Sequence, residues 1–393
     1  MNGQVRILTG ARIFTGHEFL EGHSLVIRNG HIESILPEGA TLPEGERVLL
    51  PPDQLIAPGF IDAQVNGAGG ILFNETPTSH AVRDIGNALR RFGVTGYLPT
   101  FITDRREGMV AACAAALTAA EPAGSMILGV HLEGPFIGPS RPGVHNPAFI
   151  RKPDENDFDL LENTARDFGP DARLLLTLAP ETVSETEITR LAQAGVIVSL
   201  GHTGSTFEQA KKGVAAGARG FTHLFNAMPP VANREPGPVG AALDSAEAFC
   251  GIIADGIHVH PVLLRAVLAT KVPGTVFLVS DAMPPVGTDQ KSFILYGKEI
   301  YRRDGRLVTA DGVLAGADID MLAAVRNCVT LLGLDLAEAL RMAALYPARF
   351  LKLDHRTGSI APSLRADLVL LSCWQEPQKL KVEATWVAGN MSS

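Results

Sequence analysis

Between about residue 55 and residue 282 the chain alternates short apolar runs with stretches able to form helices, the pattern of repeated parallel βαβ units. Eight runs read as strands: LIAPGFIDAQV, VTGYLPTFI, MILGVHLE, ARLLLTLAP, GVIVSLGH, ARGFTHLF, FCGIIADGIHV and TVFLVSDA. Eight such units favour a (β/α)8 TIM-like barrel, an α/β fold, over an open doubly wound sheet. The first fifty or so residues differ in texture: VRILTGARIF and SLVIRNGHIESIL are β-like, and Asn29-Gly30 is a two-residue hairpin turn signal. That texture returns after about residue 350 in GSIAPSLRADLVLLS and KVEATWVAGN. The expected organisation is therefore a small β-sandwich built from residues 1–54 and 350–393, flanking a barrel over 55–349. A β-hairpin insertion near 291–313 turns at Arg303-Asp304-Gly305. DMLAAVRNCVTLL and DLAEALRMAAL would then close the barrel as helices, and the Ala-rich AACAAALTAA reads as a helix.

Composition narrows the functional classes. With 46% hydrophobic and 19% charged residues among 393, the chain reads as a compact soluble protein. A net charge of −8 and the lack of a basic run argue against a sequence-independent nucleic-acid grip, which needs clustered cations. An anionic ligand would have to be held by a few local donors. No window reaches the ~18 apolar residues of a membrane span, the N-terminus does not read as a secretory signal, and Cys113, Cys250, Cys328 and Cys373 form no CxxC pair and read as buried small apolar residues. The expected location is the cytoplasm, where free thiols persist.

Candidate chemistry follows from position, because sites in such barrels form at the C-terminal ends of the strands. Gln64 and Asn66 close the first run, Glu133 the third, His202 the fifth, His223 the sixth, Asp255 and His258 the seventh and Asp281 the eighth. One histidine at a strand end commonly just hydrogen-bonds a loop. Three groups of metal-ligand type at separate strand ends point instead to a site, and Glu133, His202 and His223 suit Zn²⁺ or Fe²⁺ with a position left for water. Asp281 is either a helix cap or a carboxylate over the mouth, able to take a proton from an attacking water and return it to a leaving amine. The Gly/Pro-rich loop after Glu133 carries His145 and Asn146, with His145 able to polarise a carbonyl. Arg234, in a Pro/Gly-punctuated loop beyond His223, suits a phosphate.

Taken together, APGFIDAQVNGAGG, HLEGPFI, HNP, SLGHT, THLFNAM, REPG, IADGIHV and SDAM resemble the N-acetylglucosamine-6-phosphate deacetylase family of the amidohydrolase superfamily, over essentially the whole chain. The resemblance implies a barrel with a β-sandwich from both termini, a homodimer or higher oligomer, and release of acetate from an amino sugar phosphate. It implies Glu133, His202 and His223 as ligands of the metal and Asp281 as the acid/base. Substrate contacts are implied for Val144, His145, Asn226, Ala227, Arg234 and His258, and for Leu314, Ala315 and Gly316 lining the sugar site. Arg234 is expected to reach the phosphate bound by a neighbouring subunit. Two segments depart from the pattern. Gln64-Val65-Asn66 stands where many superfamily members carry His-x-His for a second metal, so one divalent ion per subunit is expected, zinc or iron. Ala317 stands where many members carry Ser, which puts a minor sugar contact in doubt. The rivals are the same chemistry on N-acetylgalactosamine 6-phosphate or an N-acyl amino acid, and a non-catalytic scaffold on the same fold.

Overall fold

The computed structural model describes residues 4–121 and 124–392. Each of the eight apolar runs contains one strand of a single parallel sheet: β1 Phe60–Val65, β2 Val94–Ile102, β3 Gly129–Glu133, β4 Arg173–Leu178, β5 Ile197–Leu200, β6 Gly220–Phe221, β7 Phe249–Ile252 and β8 Val276–Leu278. Neighbours in sequence are neighbours in the sheet, from β1 through to β8. Closure comes just beyond β8, where Val65 and Ala282 form a parallel bridge and Asn66 N donates to Ala282 O at 2.9 Å. The strands are almost wholly buried, as expected of parallel strands covered on both faces.

Helices follow each of the first seven strands: α1 Ser79–Arg90, α2 Arg106–Ala120, α3 Glu155–Asp167, α4 Glu185–Gln193, α5 Phe207–Ala215, α6 Gly237–Asp244 and α7 Pro261–Thr270. Their starts are written locally. Thr78 accepts from Ala81 N to cap α1, and Asp154, Ser184 and Thr206 form reciprocal capping boxes on α3, α4 and α5. The helix expected at AACAAALTAA is α2, and α8 Met321–Thr330, α9 Leu336–Ala343 and α10 Leu345–Phe350 complete the wall.

The terminal β-rich segments pair as two sheets. One joins His31–Pro37, His23–Arg28, Val5–Thr9 and Glu46–Leu49; the other joins Asn390–Ser392, Lys381–Val387, Leu368–Ser372, Leu55–Pro58, Arg12–Phe14 and Phe19–Leu20. Ile13, Leu25, Ile27, Ile56, Leu368 and Trp386 fill the space between them. The Asn29-Gly30 turn has φ of 51° and 80°, the left-handed pair that a two-residue hairpin requires.

Three expectations change. The run LIAPGFIDAQV is two strands, not one: Leu55–Pro58 pairs with Leu368–Leu371 in the terminal sheet, and the barrel strand begins at Phe60. The break falls at Gly59, where a Cβ would lie 2.1 Å from Thr95 Oγ1, so only glycine lets the chain cross that close to β2. The insertion is a four-stranded antiparallel meander, Ser292–Leu295, Lys298–Arg303, Arg306–Val308 and Leu314–Ala317, with left-handed turns at Tyr296-Gly297 and at the expected Asp304-Gly305. Its last strand returns to the barrel, where Ala317 N donates to Asp281 O at 2.9 Å. Cys113, Cys250 and Cys328 are buried as expected, but Cys373 is exposed, because it lies past the end of its strand in a left-handed turn. No helix of the described residues is long and apolar enough to cross a membrane.

Candidate active site

Glu133 is the last residue of β3, while His202 and His223 stand two residues beyond β5 and β6. The latter two adopt left-handed backbone, φ 47° and 29°, as do Ala227 at 50° and Asp281 at 51°. Such conformations cost L-residues energy and persist where surrounding structure holds them. The effect is to turn these side chains off the strand direction and into the mouth. His223 Nε2 lies 2.9 Å from Glu133 Oε1, His202 Nε2 lies 3.3 Å from the same oxygen, and the two Nε2 atoms are 3.1 Å apart. Donor atoms held 2.0–2.1 Å from one tetrahedral ion are separated by roughly 3.3 Å. The three side chains therefore fit a divalent ion by chemistry and spacing, and all three are buried.

Tautomers follow from the outer partners. His202 Nδ1 donates to Arg141 O at 3.0 Å, which leaves its Nε2 lone pair facing the group. His223 Nδ1 is buried with no hydrogen-bond partner among the described residues. Burial pushes Glu133 up, but the convergence of His202 and His223 on its carboxylate holds it well below its ordinary value. Beneath the ligands runs a buried polar chain that the sequence reading missed. Val65 N donates to Thr100 Oγ1 at 2.9 Å, Thr100 meets His131 Nδ1 at 3.1 Å, His131 Nε2 meets Thr177 Oγ1 at 2.7 Å, and Thr177 leads through Thr222 to Ser199. Burial holds the His131 imidazole at about 4, so it is neutral. The alternation of inward positions on β3, with His131 two residues before Glu133, was the available signal.

Asp281 lies across the mouth. Its Oδ1 accepts from Asn66 Nδ2 at 2.7 Å and from Gln64 Nε2 at 3.1 Å, and the same Gln64 nitrogen donates to Glu133 Oε1 at 3.1 Å. The two amides at the end of β1 thus satisfy carboxylates. Burial and the nearby charge of Glu133 raise Asp281 to about 6, against the lowering influence of His223, His258 and Asn66. The adjoining backbone is fixed by Asp62, which accepts from Ser280 N at 3.1 Å and from the Ser280 hydroxyl.

A cavity of about 400 Å³ opens above these groups, within the range of small-molecule sites. Of the expected substrate contacts, Val144, His145, Asn226, Ala227, His258, Leu314 and Gly316 line it. Ala315 does not. It is buried among Met283, Leu295 and Leu307, because strand residues alternate faces and only Leu314 and Gly316 turn toward the cavity. Arg234 also lies outside the lining, exposed in the loop before α6. Asn146 is a cap instead, accepting from Ala148 N at 3.1 Å. His258 Nδ1 donates to Asp255 Oδ2 at 2.5 Å. His145 is buried, its Nδ1 is 2.7 Å from Thr103 Oγ1, and burial with the charge of His202 holds it well below the usual imidazole range, hence neutral.

The fold and a carboxylate–imidazole group at the strand ends define a barrel hydrolase site of metal-dependent type. The Amidohydrolase family model matches residues 55–391, and the chain belongs to that family. A second model, the NagA composite domain, matches residues 7–46. Among curated relatives, the chain is 42% identical to the N-acetylgalactosamine-6-phosphate deacetylase of Shewanella sp. (strain ANA-3), over 85% of this chain and 82% of that one. It is 35% identical to the N-acetylglucosamine-6-phosphate deacetylase of Haemophilus influenzae, over 92% and 93%. The crystal structure of N-acetylglucosamine-6-phosphate deacetylase from Pasteurella multocida superposes with a TM-score of 0.92 at 34% identity, covering 99% of this chain and 100% of that one.

Proposed function

We propose that this chain hydrolyses the acetamide of N-acetylglucosamine 6-phosphate, giving glucosamine 6-phosphate and acetate. The observation that carries the reading is the placement of Asp281 opposite Glu133, His202 and His223, joined to Glu133 through Gln64, in a cavity that His145 and His258 also line. A divalent ion held by those three side chains, zinc or iron and one per subunit, would acidify a water and polarise a carbonyl oxygen. Asp281 takes the proton of the attacking water; its raised proton affinity suits a group that must then hold that proton. His145 donates to the acetyl oxygen as negative charge builds on it. Protonated Asp281 next delivers its proton to the sugar nitrogen, turning a poor leaving group into an amine. Val144, Asn226, Ala227, Leu314 and Gly316 surround the sugar, and His258, held by Asp255, faces it.

The phosphate is assigned to Arg234. Its exposure outside its own cavity supports delivery to a neighbouring subunit in a homodimer or tetramer. Four free cysteines among the described residues suit a reducing compartment, and we assign the chain to the cytoplasm.

N-acetylgalactosamine 6-phosphate is a second reading, favoured by the name of the Shewanella relative at 42% identity. The two sugars differ in the orientation of one hydroxyl. The test is acetate release from both sugar phosphates and from unphosphorylated N-acetylglucosamine, before and after chelation. Chelator-sensitive release fastest from the gluco phosphate supports the first reading, and fastest from the galacto phosphate the second. No release from any of them by metal-loaded protein overturns both.

A further inference from the structure

The hydroxyl of Thr103, one residue beyond β2, lies between two groups of the site: 2.7 Å from His145 Nδ1 and 3.3 Å from the main-chain carbonyl of Glu133. It has one proton to give. A neutral imidazole also has one N–H, and which nitrogen carries it is set by what the other nitrogen meets. At the far side of the ring, His145 Nε2 lies 4.0 Å from Glu133 Oε2. A bare Nε2 lone pair would confront that carboxylate, whereas Nε2–H presents positive charge to it. At the near side the shorter contact of Thr103 is to Nδ1, so its proton goes there. Both ends of the ring favour the same arrangement, with Thr103 O–H donating to Nδ1 and the proton of His145 on Nε2.

We infer that Thr103 is a positioning residue for the reaction, fixing His145 in the tautomer whose Nε2–H faces the cavity. The inference rests on the proposed role of His145 as donor to the acetyl oxygen. That role needs Nε2–H, and a ring turned to the other tautomer would offer the developing oxyanion a lone pair. Thr103 is itself held from outside the barrel. Tyr296, at the left-handed first turn of the insertion, donates its hydroxyl to Thr103 O at 2.5 Å. The insertion thus pins the backbone from which Thr103 reaches His145, and Thr103 is buried, shielded from water that could compete for its hydroxyl.

Two measurements test this. In zinc-loaded protein labelled with ¹⁵N-histidine, two-bond ¹⁵N–¹H correlation spectra of wild type, assigned with His145→Gln, should show an unprotonated, hydrogen-bonded Nδ1 and a protonated Nε2. A protonated Nδ1 overturns the inference, and this readout needs no substrate. In the second, Thr103→Val, which keeps the volume and loses the donor, should lower kcat about 10- to 100-fold with KM within about 3-fold, the scale of outer-shell losses around a histidine. Thr103→Ser should restore most of the turnover. Wild-type turnover in Thr103→Val, or equal loss in both variants, overturns the inference. Absence of acetate release from wild type would instead sink the proposed function, leaving the tautomer to be read from the spectra.

Discussion

Asn66 Nδ2 donates to Asp281 Oδ1 at 2.7 Å across the seam where the barrel closes, joining the end of β1 to the loop after β8. The bond stabilises the charged carboxylate that burial and Glu133 disfavour.

This contact gives a pH prediction with a definite sign. As the proposed base, Asp281 works only when ionised, so activity falls as pH drops through its pKa. Asn66→Ala removes a donor to the charged form, which raises that pKa further. The acidic limb of kcat/KM should move to higher pH by roughly one unit, the worth of one hydrogen bond to a charged group. A limb that stays in place or moves to lower pH would show that Asp281 does not set it.

Asp281→Asn keeps the shape and the bulk of the hydrogen bonding while removing the proton carrier. Its fold and metal content should match wild type, and kcat should fall about 10³-fold, within the range for a lost general acid–base. Circular dichroism and metal analysis check the first part and acetate release the second; near-normal turnover would refute the assignment.

Removal of the metal should be felt in stability as well as in activity. Glu133, His202 and His223 are buried with their donor atoms converging, so an ion bound there stabilises only the folded state. Chelation should abolish acetate release and lower the melting temperature by a few degrees, about 1 °C for each kcal/mol lost in a chain of this length. Zinc should restore both. An unchanged calorimetric transition after verified metal loss would contradict the three-ligand site.

The exposed position of Arg234 predicts complementation between subunits. Arg234→Ala should raise KM for the sugar phosphate about 10- to 100-fold, the loss of a charge-assisted contact, with little effect on an unphosphorylated substrate. Mixed with Asp281→Asn chains and reassociated, it should regain activity, since one kind of mixed site then holds both wild-type residues. If mixing restores nothing, Arg234 does not act across an interface.

Much of the site was legible because strands announce their ends. An apolar run interrupted by Glu, His or Asp marks where a buried strand meets the barrel mouth, and Glu133, His202, His223 and Asp281 were all found that way. Residues whose partners come from distant segments were not legible. Thr103 and Thr177 look like ordinary strand residues until His145 and His131 are brought against them, and Gly59 reads as part of a strand until Thr95 is seen beside it. Ala315 was expected in the lining with Leu314 and Gly316, but which face of a three-residue run meets the cavity depends on how the insertion docks.

By itself the sequence determined the order of the eight strands, the β-rich ends, the turns at Asn29-Gly30 and Asp304-Gly305, and the residue types at the mouth. These are set by local periodicity and by which residues tolerate left-handed backbone. Tertiary structure alone decided the 2.9–3.3 Å convergence of Glu133, His202 and His223, the amide bridge from Gln64 and Asn66 to Asp281, and the contact of Thr103 with His145. The physical reason is closure: bringing β1 beside β8 joins residues more than two hundred positions apart, and no local preference along the chain encodes that distance.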